Sequence, residues 1–167
     1  MNGIFRRLLL GSPSTIAGTV YGTIVVMAAL TAGAPSFEDE PWRLLAVVVF
    51  TALIFWVAHV YAGGLGESIA LGRRLDLPEL VSIGRREVSI LLAVVLPALS
   101  LLLGALRVLG DAAAVWLALG VCVATLAAQG LRYARLERLG RAATAWTIAV
   151  NLALGLAIVA VKVALAH

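Results

Sequence analysis

Charge is what this sequence has least of: 13% of its 167 residues are Asp, Glu, Lys or Arg, against 62% hydrophobic. An ordinary soluble domain is nearer a quarter charged, so the polar groups cannot cover a body of this size in water and the excess apolar surface must face lipid. Cysteine is nearly missing. Cys122 alone leaves no intrachain disulfide, and in the run VWLALGVCVATLAA it reads as a small hydrophobe. Histidine is limited to His59 and His167. The topology derived below sets them on opposite sides of the membrane, which argues against a zinc or bis-histidine haem site within one chain. The phosphate-binding patterns GxxxxGK[ST] and GxGxxG are absent, as is HExxH, and no Ser, His and Asp combination stands out. No catalytic residue, metal ligand or cofactor is therefore expected, and the chain does not read as an enzyme.

What the sequence does contain is long apolar runs, with a mean hydropathy of +1.04. A helix that crosses about 30 Å of hydrocarbon needs roughly 20 mostly apolar residues. Five stretches meet this: residues 14–34, 44–63, 88–106, 112–130 and 142–161. Several are rich in valine, which favours strands in water. In lipid the backbone must satisfy its own hydrogen bonds, so runs of this length are helices. The expected fold is all-α, a polytopic bundle of about five transmembrane helices in one domain.

The cations fix an expected orientation. Ten of the thirteen (Arg6, Arg7, Arg73, Arg74, Arg85, Arg86, Arg132, Arg135, Arg138 and Arg141) fall in the N-terminal tail and in the second and fourth connections. Five crossings put those regions on one side. The other side receives Arg43, Arg107 and Lys162 with the acidic stretch Glu38-Asp39-Glu40. Positive charge stays in the cytoplasm, so the N-terminus is expected inside and the C-terminus outside, in the cytoplasmic membrane. The net charge of +4 then reflects helix ends and not a nucleic-acid surface. A rival reading concerns the first run alone: Arg6-Arg7, the apolar stretch and Ala32-Gly33-Ala34 resemble a cleavable secretory signal. Pro35 directly after the small residues and the polarity of residues 14–23 favour retention.

The cytoplasmic loop 65–86 is the longest connection. Within it Asp76-Leu77-Pro78-Glu79 has the acceptor, early proline and Glu spacing of a helix start. Leu77, Leu80, Val81 and Ile83 would line one side of a short amphipathic helix lying at the interface. Its flanking pairs Arg73-Arg74 and Arg85-Arg86 would then meet anionic head groups. A solvated loop whose arginines only set topology is the competing expectation.

Strongly polar residues within lipid are functional candidates by default. Trp56 shares a helix face with His59, Gly63 and Glu67, which follow it at spacings of 3, 7 and 11. Imidazole titrates near neutral pH and suits proton relay, while the plain reading is a histidine bonded to a neighbouring helix. His59 and Glu67 lie about 12 Å apart along a continuous helix. Asn151, near the midplane, shares a face with Thr144, Thr147 and Gly155; this reads as a packing seam before a polar pathway. Gln129 reaches the inner interface on a face with Cys122, Thr125 and Tyr133, at a depth that would let it meet His59. Gly18 and Gly22 form a GxxxG packing signal. Pro97 and Glu87 read as structural.

The stretch from Trp56 through His59 and Tyr61-Ala62-Gly63-Gly64-Leu65-Gly66-Glu67-Ser68, followed by Gly72-Arg73-Arg74, resembles small uncharacterised polytopic membrane proteins of high-GC actinobacteria. The resemblance extends over most of the chain and implies no activity. Three functions follow as expectations. The first is a small transport or channel subunit with His59, Gln129 and Asn151 as its polar lining. The second is a non-catalytic membrane scaffold or accessory protein. The third is an interfacial enzyme acting on lipid head groups through His59, Glu67 and the loop arginines. The expected partners are anionic lipid and a second copy or another membrane protein.

Overall fold

The computed structural model describes residues 13–37 and 40–165. Arg6, Arg7, Glu38, Asp39 and His167, which entered the charge argument, lie outside the described residues. Among those described, regular structure is entirely helical: α1 (Pro13–Phe37), α2 (Pro41–Leu71), α3 (Leu77–Arg86), α4 (Val88–Ala105), α5 (Asp111–Leu136) and α6 (Arg141–Leu165). All but α3 are long and apolar enough to cross a membrane. The five apolar runs are thus five helices, as expected of a multi-pass membrane protein.

Two helices outrun their apolar stretches. At 31 residues, α2 is about 46 Å long and passes straight through Gly63-Gly64. The pair does not break it because α3 packs there: a Cβ on Gly64 would lie 2.8 Å from Leu80 Cδ2, and one on Gly63 would lie 3.4 Å from Ile83 Cγ2. The helix stops at Gly72, which takes the left-handed conformation (φ 63°). Gly72 N–H then donates to Ile69 O and Arg73 N–H to Ser68 O, both at 3.2 Å, the paired closure that a glycine after the last turn permits. Similarly α5 continues past Gly130 to Leu136 and carries Arg132 and Arg135 in its last turns, so the fourth connection is only residues 137–140.

The second connection is the clearest departure from a solvated loop. Asp76 Oδ1 accepts from Glu79 N–H and Glu79 Oε2 accepts from Asp76 N–H, each at 2.9 Å, which starts α3 with a reciprocal cap. Nor does α3 lie apart from the bundle at the interface. Its contacts step back along α2: Leu80 lies against Gly64, Ile83 against Gly63, and Gly84 against Val60 and Trp56. Only Glu87 interrupts the passage from α3 into α4. The cause is the glycine pair of α2, which lets an amphipathic segment pack edge to edge with a spanning helix.

The bundle is organised around α1, the least apolar of the five long helices. It touches α2, α4, α5 and α6, and 56% of its spanning window is buried, against 6% for α6. Lipid tails are as apolar as leucine, so helix association in a bilayer rests on close packing and not on hydrophobic exclusion. The glycines of α1 provide the closeness. A Cβ on Gly22 would lie 2.7 Å from Ile90 O and 2.9 Å from Ile90 Cα, and one on Gly18 would collide with Ser89 Oγ. The hydroxyls of α1 are absorbed locally, Thr19 donating to Thr15 O and Thr23 to Thr19 O at 2.7 Å. Beyond them Val26, Met27, Leu30 and Ala34 join Leu44, Val48, Leu101, Val115 and Leu119 in a core with no more than 1% exposure. The last three helices therefore do not form a unit without α1, which packs on each of them.

Substituting Gly22 by Ala or Leu should force α1 and α4 apart, because the obstacle is backbone and cannot rotate away. The expected loss is about 1–3 kcal/mol, read as a lower thermal midpoint in detergent. Gly66→Ala meets nothing within 4 Å and should leave stability unchanged or raise it by up to about 1 kcal/mol, with the midpoint held or increased. Equal midpoints for Gly22→Leu and the parent would contradict the contact.

Candidate functional site

The face of α2 that carries Trp56, His59, Gly63 and Glu67 is the surface covered by α3 and its junction with α4. Trp56 Nε1–H donates to Gly84 O at 3.2 Å. Gly63 accepts Ile83. His59 Nε2 lies 3.5 Å from Glu87 Oε2, and Glu67 Oε1 accepts from Arg86 at 2.7 Å. Four residues that sequence spacing groups as a candidate site thus make a docking strip. His59 and Glu67 do not converge on a common point. Each has its own partner on the α3–α4 segment. Glu87, which the sequence suggests only as a helix start, is the partner of His59.

His59 does not meet Gln129. Its ring lies against Tyr21 of α1, centroid to centroid 5.4 Å, and Tyr21 also contacts the ring of Phe55 at 6.2 Å. Tyr21 then faces a cleft on its other side. This cleft, of about 570 Å³, opens between α1 and the α5–α6 hairpin and is lined by Ile16, Ala17, Val20 and Ile24 with Tyr21, and by Gln129, Tyr133, Glu137, Thr147 and Asn151. Gln129 and Asn151 are therefore brought together, as a shared polar lining requires, and His59 stands behind Tyr21. Sequence reasoning missed Tyr21. An aromatic within the GxxxG stretch, one residue before Gly22, was the available signal.

The cleft owes its shape to glycine and to hydroxyls that bond inward. Gly130 lets α6 approach α5 so closely that a Cβ there would lie 3.1 Å from Asn151 Nδ2 and 3.2 Å from Thr147 O. Asn151 Nδ2 donates to Thr147 O at 2.9 Å and Thr147 Oγ1 donates to Ala143 O at 2.8 Å. Asn151 thus bonds to its own helix and not across to a neighbour, so it is a seam residue whose remaining amide capacity points at the cleft. Gln129 is 5% exposed and its Oε1 accepts from Arg132 at 3.5 Å. Tyr21, Tyr133 and Glu137 are the other residues of the lining that carry polar groups, and the rest of the wall is aliphatic. Such a space can hold the body of an amphiphile and offer hydrogen bonds to a polar group.

The four loop arginines divide into two kinds. Arg73 forms a paired contact with Glu79, Nη1 to Oε2 at 3.0 Å and Nη2 to Oε1 at 2.5 Å, and Arg86 is held by Glu67. Among the described residues, Arg74 and Arg85 have no carboxylate partner. The hydrogen bond from Arg73, followed by that from Asp76 N–H, pushes the Glu79 carboxylate down to about 2 from an ordinary 4.5. Glu79 in return raises the Arg73 guanidinium.

Among the described residues no cluster of three or more His, Cys, Asp or Glu is placed to hold a metal ion. Comparison of the chain with protein-family models, curated proteins and solved structures finds no match.

Because the folded state lowers the Glu79 pKa, its contribution to holding α3 is complete above about pH 4.5 and is lost as pH falls toward about 2. A spin label on Cys at Ser82, in a Cys122→Ala background, should be immobile at pH 6 and loosen by pH 2.5. Glu79→Gln should show the loosened spectrum at both values. A parent spectrum that does not change with pH would contradict the role given to this carboxylate.

Proposed function

We propose that this protein is a small transport subunit of the cytoplasmic membrane that binds an amphiphilic molecule in the cleft between α1, α5 and α6. The observation that carries the reading is the convergence of Gln129, Asn151, Thr147, Tyr21 and Tyr133 on one laterally open space. Asn151 lies about 15 Å along α6 from Arg141, so the cleft extends from the inner end of the bundle to about the midplane. A mostly apolar pocket with a few convergent polar groups is the usual form of a small-molecule site. Beyond Ile24 and Asn151 the bundle is filled by the core around Met27, Leu30 and Leu119. A polar path through a single chain has no continuation there. The channel version of the reading therefore requires several copies, whereas a binding subunit does not.

The orientation belongs to the same proposal. It is supported by the distribution of cations, with Arg73, Arg74, Arg85, Arg86, Arg132, Arg135, Arg138 and Arg141 at one end of the helices and Arg43 and Arg107 at the other; under the positive-inside rule the N-terminal side and the cleft's mouth would face the cytoplasm. Under this reading α1 is kept in the mature protein, which is supported by the contribution of Val26, Met27, Leu30 and Ala34 to the core.

The test uses a fatty alcohol bearing a diazirine in its chain, incorporated into proteoliposomes and photolysed. Labels should concentrate on peptides that contain Ile16–Ile24 and Gln129–Glu137. Ala17→Trp, which fills the cleft, should reduce that labelling at least about fivefold, the loss that roughly 1 kcal/mol of binding represents. Labels spread evenly over the lipid-facing sides of α2, α4 and α6 would overturn the site. Specific labelling with no protein-dependent transfer of the alcohol between vesicles or leaflets would overturn transport and leave a binding scaffold.

A further inference from the structure

A second groove, separate from the cleft, runs between α2 and the α3–α4 segment. It has a volume of about 370 Å³ and is lined by Trp56, Val60, Leu80, Val81 and Gly84, with Arg85 as its one charged residue. Its walls are fixed. The bond from Trp56 Nε1–H to Gly84 O holds the indole against α3, and a Cβ on Gly84 would stand 3.2 Å from Trp56 Cζ2, a contact tight enough that the indole would have to give by a few tenths of an ångström. Val81 is 51% exposed on the groove's outer side, in a position where water would be a poor neighbour.

We infer that this groove holds one anionic phospholipid, its phosphate on Arg85 and the upper part of one chain along Trp56 and Val60. The depth agrees. Taking Gly63 as the inner end of the apolar run, Val60 lies about 5 Å and Trp56 about 10 Å inside the hydrocarbon, where the first carbons of a chain are found. The charge agrees as well. Of the four arginines around α3, Arg73 and Arg86 are paired with Glu79 and Glu67; Arg74 and Arg85 have no carboxylate partner among the described residues, and of these two Arg85 is the one that lines the groove. The lining holds the Arg85 cation and no carboxylate to offset it, so an anionic head group balances the groove's charge where a zwitterionic one leaves it uncompensated. A guanidinium matches phosphate in geometry and in sign. The structure thus narrows a general basic loop to one selective contact, which does not depend on what the cleft binds.

Trp56 is the reporter. In a chain with Trp42, Trp116 and Trp146 replaced by Phe, its fluorescence should be quenched by lipids brominated along the chain. Brominated phosphatidylglycerol should compete for the groove about fivefold better than brominated phosphatidylcholine, the ratio expected for one favourable cation at a membrane surface. Arg85→Gln should bring the ratio to one, and Arg85→Lys should keep most of it. Arg73→Gln and Arg86→Gln, which remove cations already paired, should leave it in place. Equal quenching by both lipids in the parent would reduce the groove to ordinary lipid contact and overturn the proposal. So would a preference that survives Arg85→Gln, or a Trp56 that neither lipid quenches because a second copy or another protein covers it.

Discussion

The close approach of α1 to α4 at Gly18 and Gly22 is the constraint on which the other contacts depend. With two hydrogen atoms where side chains would stand, the backbone of α1 lies directly on Ser89, Ile90 and Ala93. In a bilayer nothing expels a helix from lipid, so a polar helix reaches the centre of a bundle only where packing holds it there. Once α1 is central, Tyr21 is held between His59 on one side and the cleft on the other. The same placement lets the methyl and aliphatic groups of Val26, Met27, Leu30 and Ala34 meet three other helices.

The cost of bringing polar groups inside is reduced by a repeated local device. Thr19, Thr23, Ser100, Thr125 and Thr147 each donate to the carbonyl four residues earlier in their own helix. A hydroxyl used in this way asks nothing of its neighbours, which frees the interhelical seams to be made of glycine and alanine. Thr31 and Ser89 are the exceptions, buried with no partner for the hydroxyl among the described residues. Ser89 is the residue that Gly18 faces, so the tightest contact in the bundle is also where a polar atom is left unbonded. Strongly polar side chains are treated differently. His59, Glu67 and Arg86 are paired toward the C-terminal end of α2, while Gln129 and Asn151 are placed where the cleft gives them open space.

Much of this architecture was legible in the sequence. Apolar length alone located the five long helices, because the bilayer imposes one length on all of them. The Asp76-Leu77-Pro78-Glu79 start of α3 was readable because a cap is a local geometry. The interior arrangement was not. Hydropathy ranks 14–34 as the poorest span, yet α1 is the most enclosed, since burial in lipid is decided by glycine contacts and not by apolar content. The grouping of Trp56, His59, Gly63 and Glu67 on one face was correct, but its meaning needed the partner: the face serves α3. Gln129 and Asn151 were recognisable from polarity, whereas Tyr21 was hidden in a stretch whose glycines drew attention to packing. Which arginines are neutralised depends on the course of the chain between α2 and α4, and charge counting treats all four alike.

The most direct measurement of the central position of α1 is a disulfide between it and α4. An ideal Cβ at Gly18 lies 3.3 Å from Ser89 Cβ, just short of the roughly 3.5–4.5 Å that a disulfide spans, a difference that a small backbone adjustment closes. With Cys122→Ala to remove the native thiol, Gly18→Cys and Ser89→Cys together should cross-link within one chain on mild oxidation in native membranes. Gly66→Cys with Ser89→Cys should not. A Gly18–Ser89 pair that stays reduced, with each thiol open to lipid-soluble reagents, would place α1 at the edge of the bundle and contradict the account.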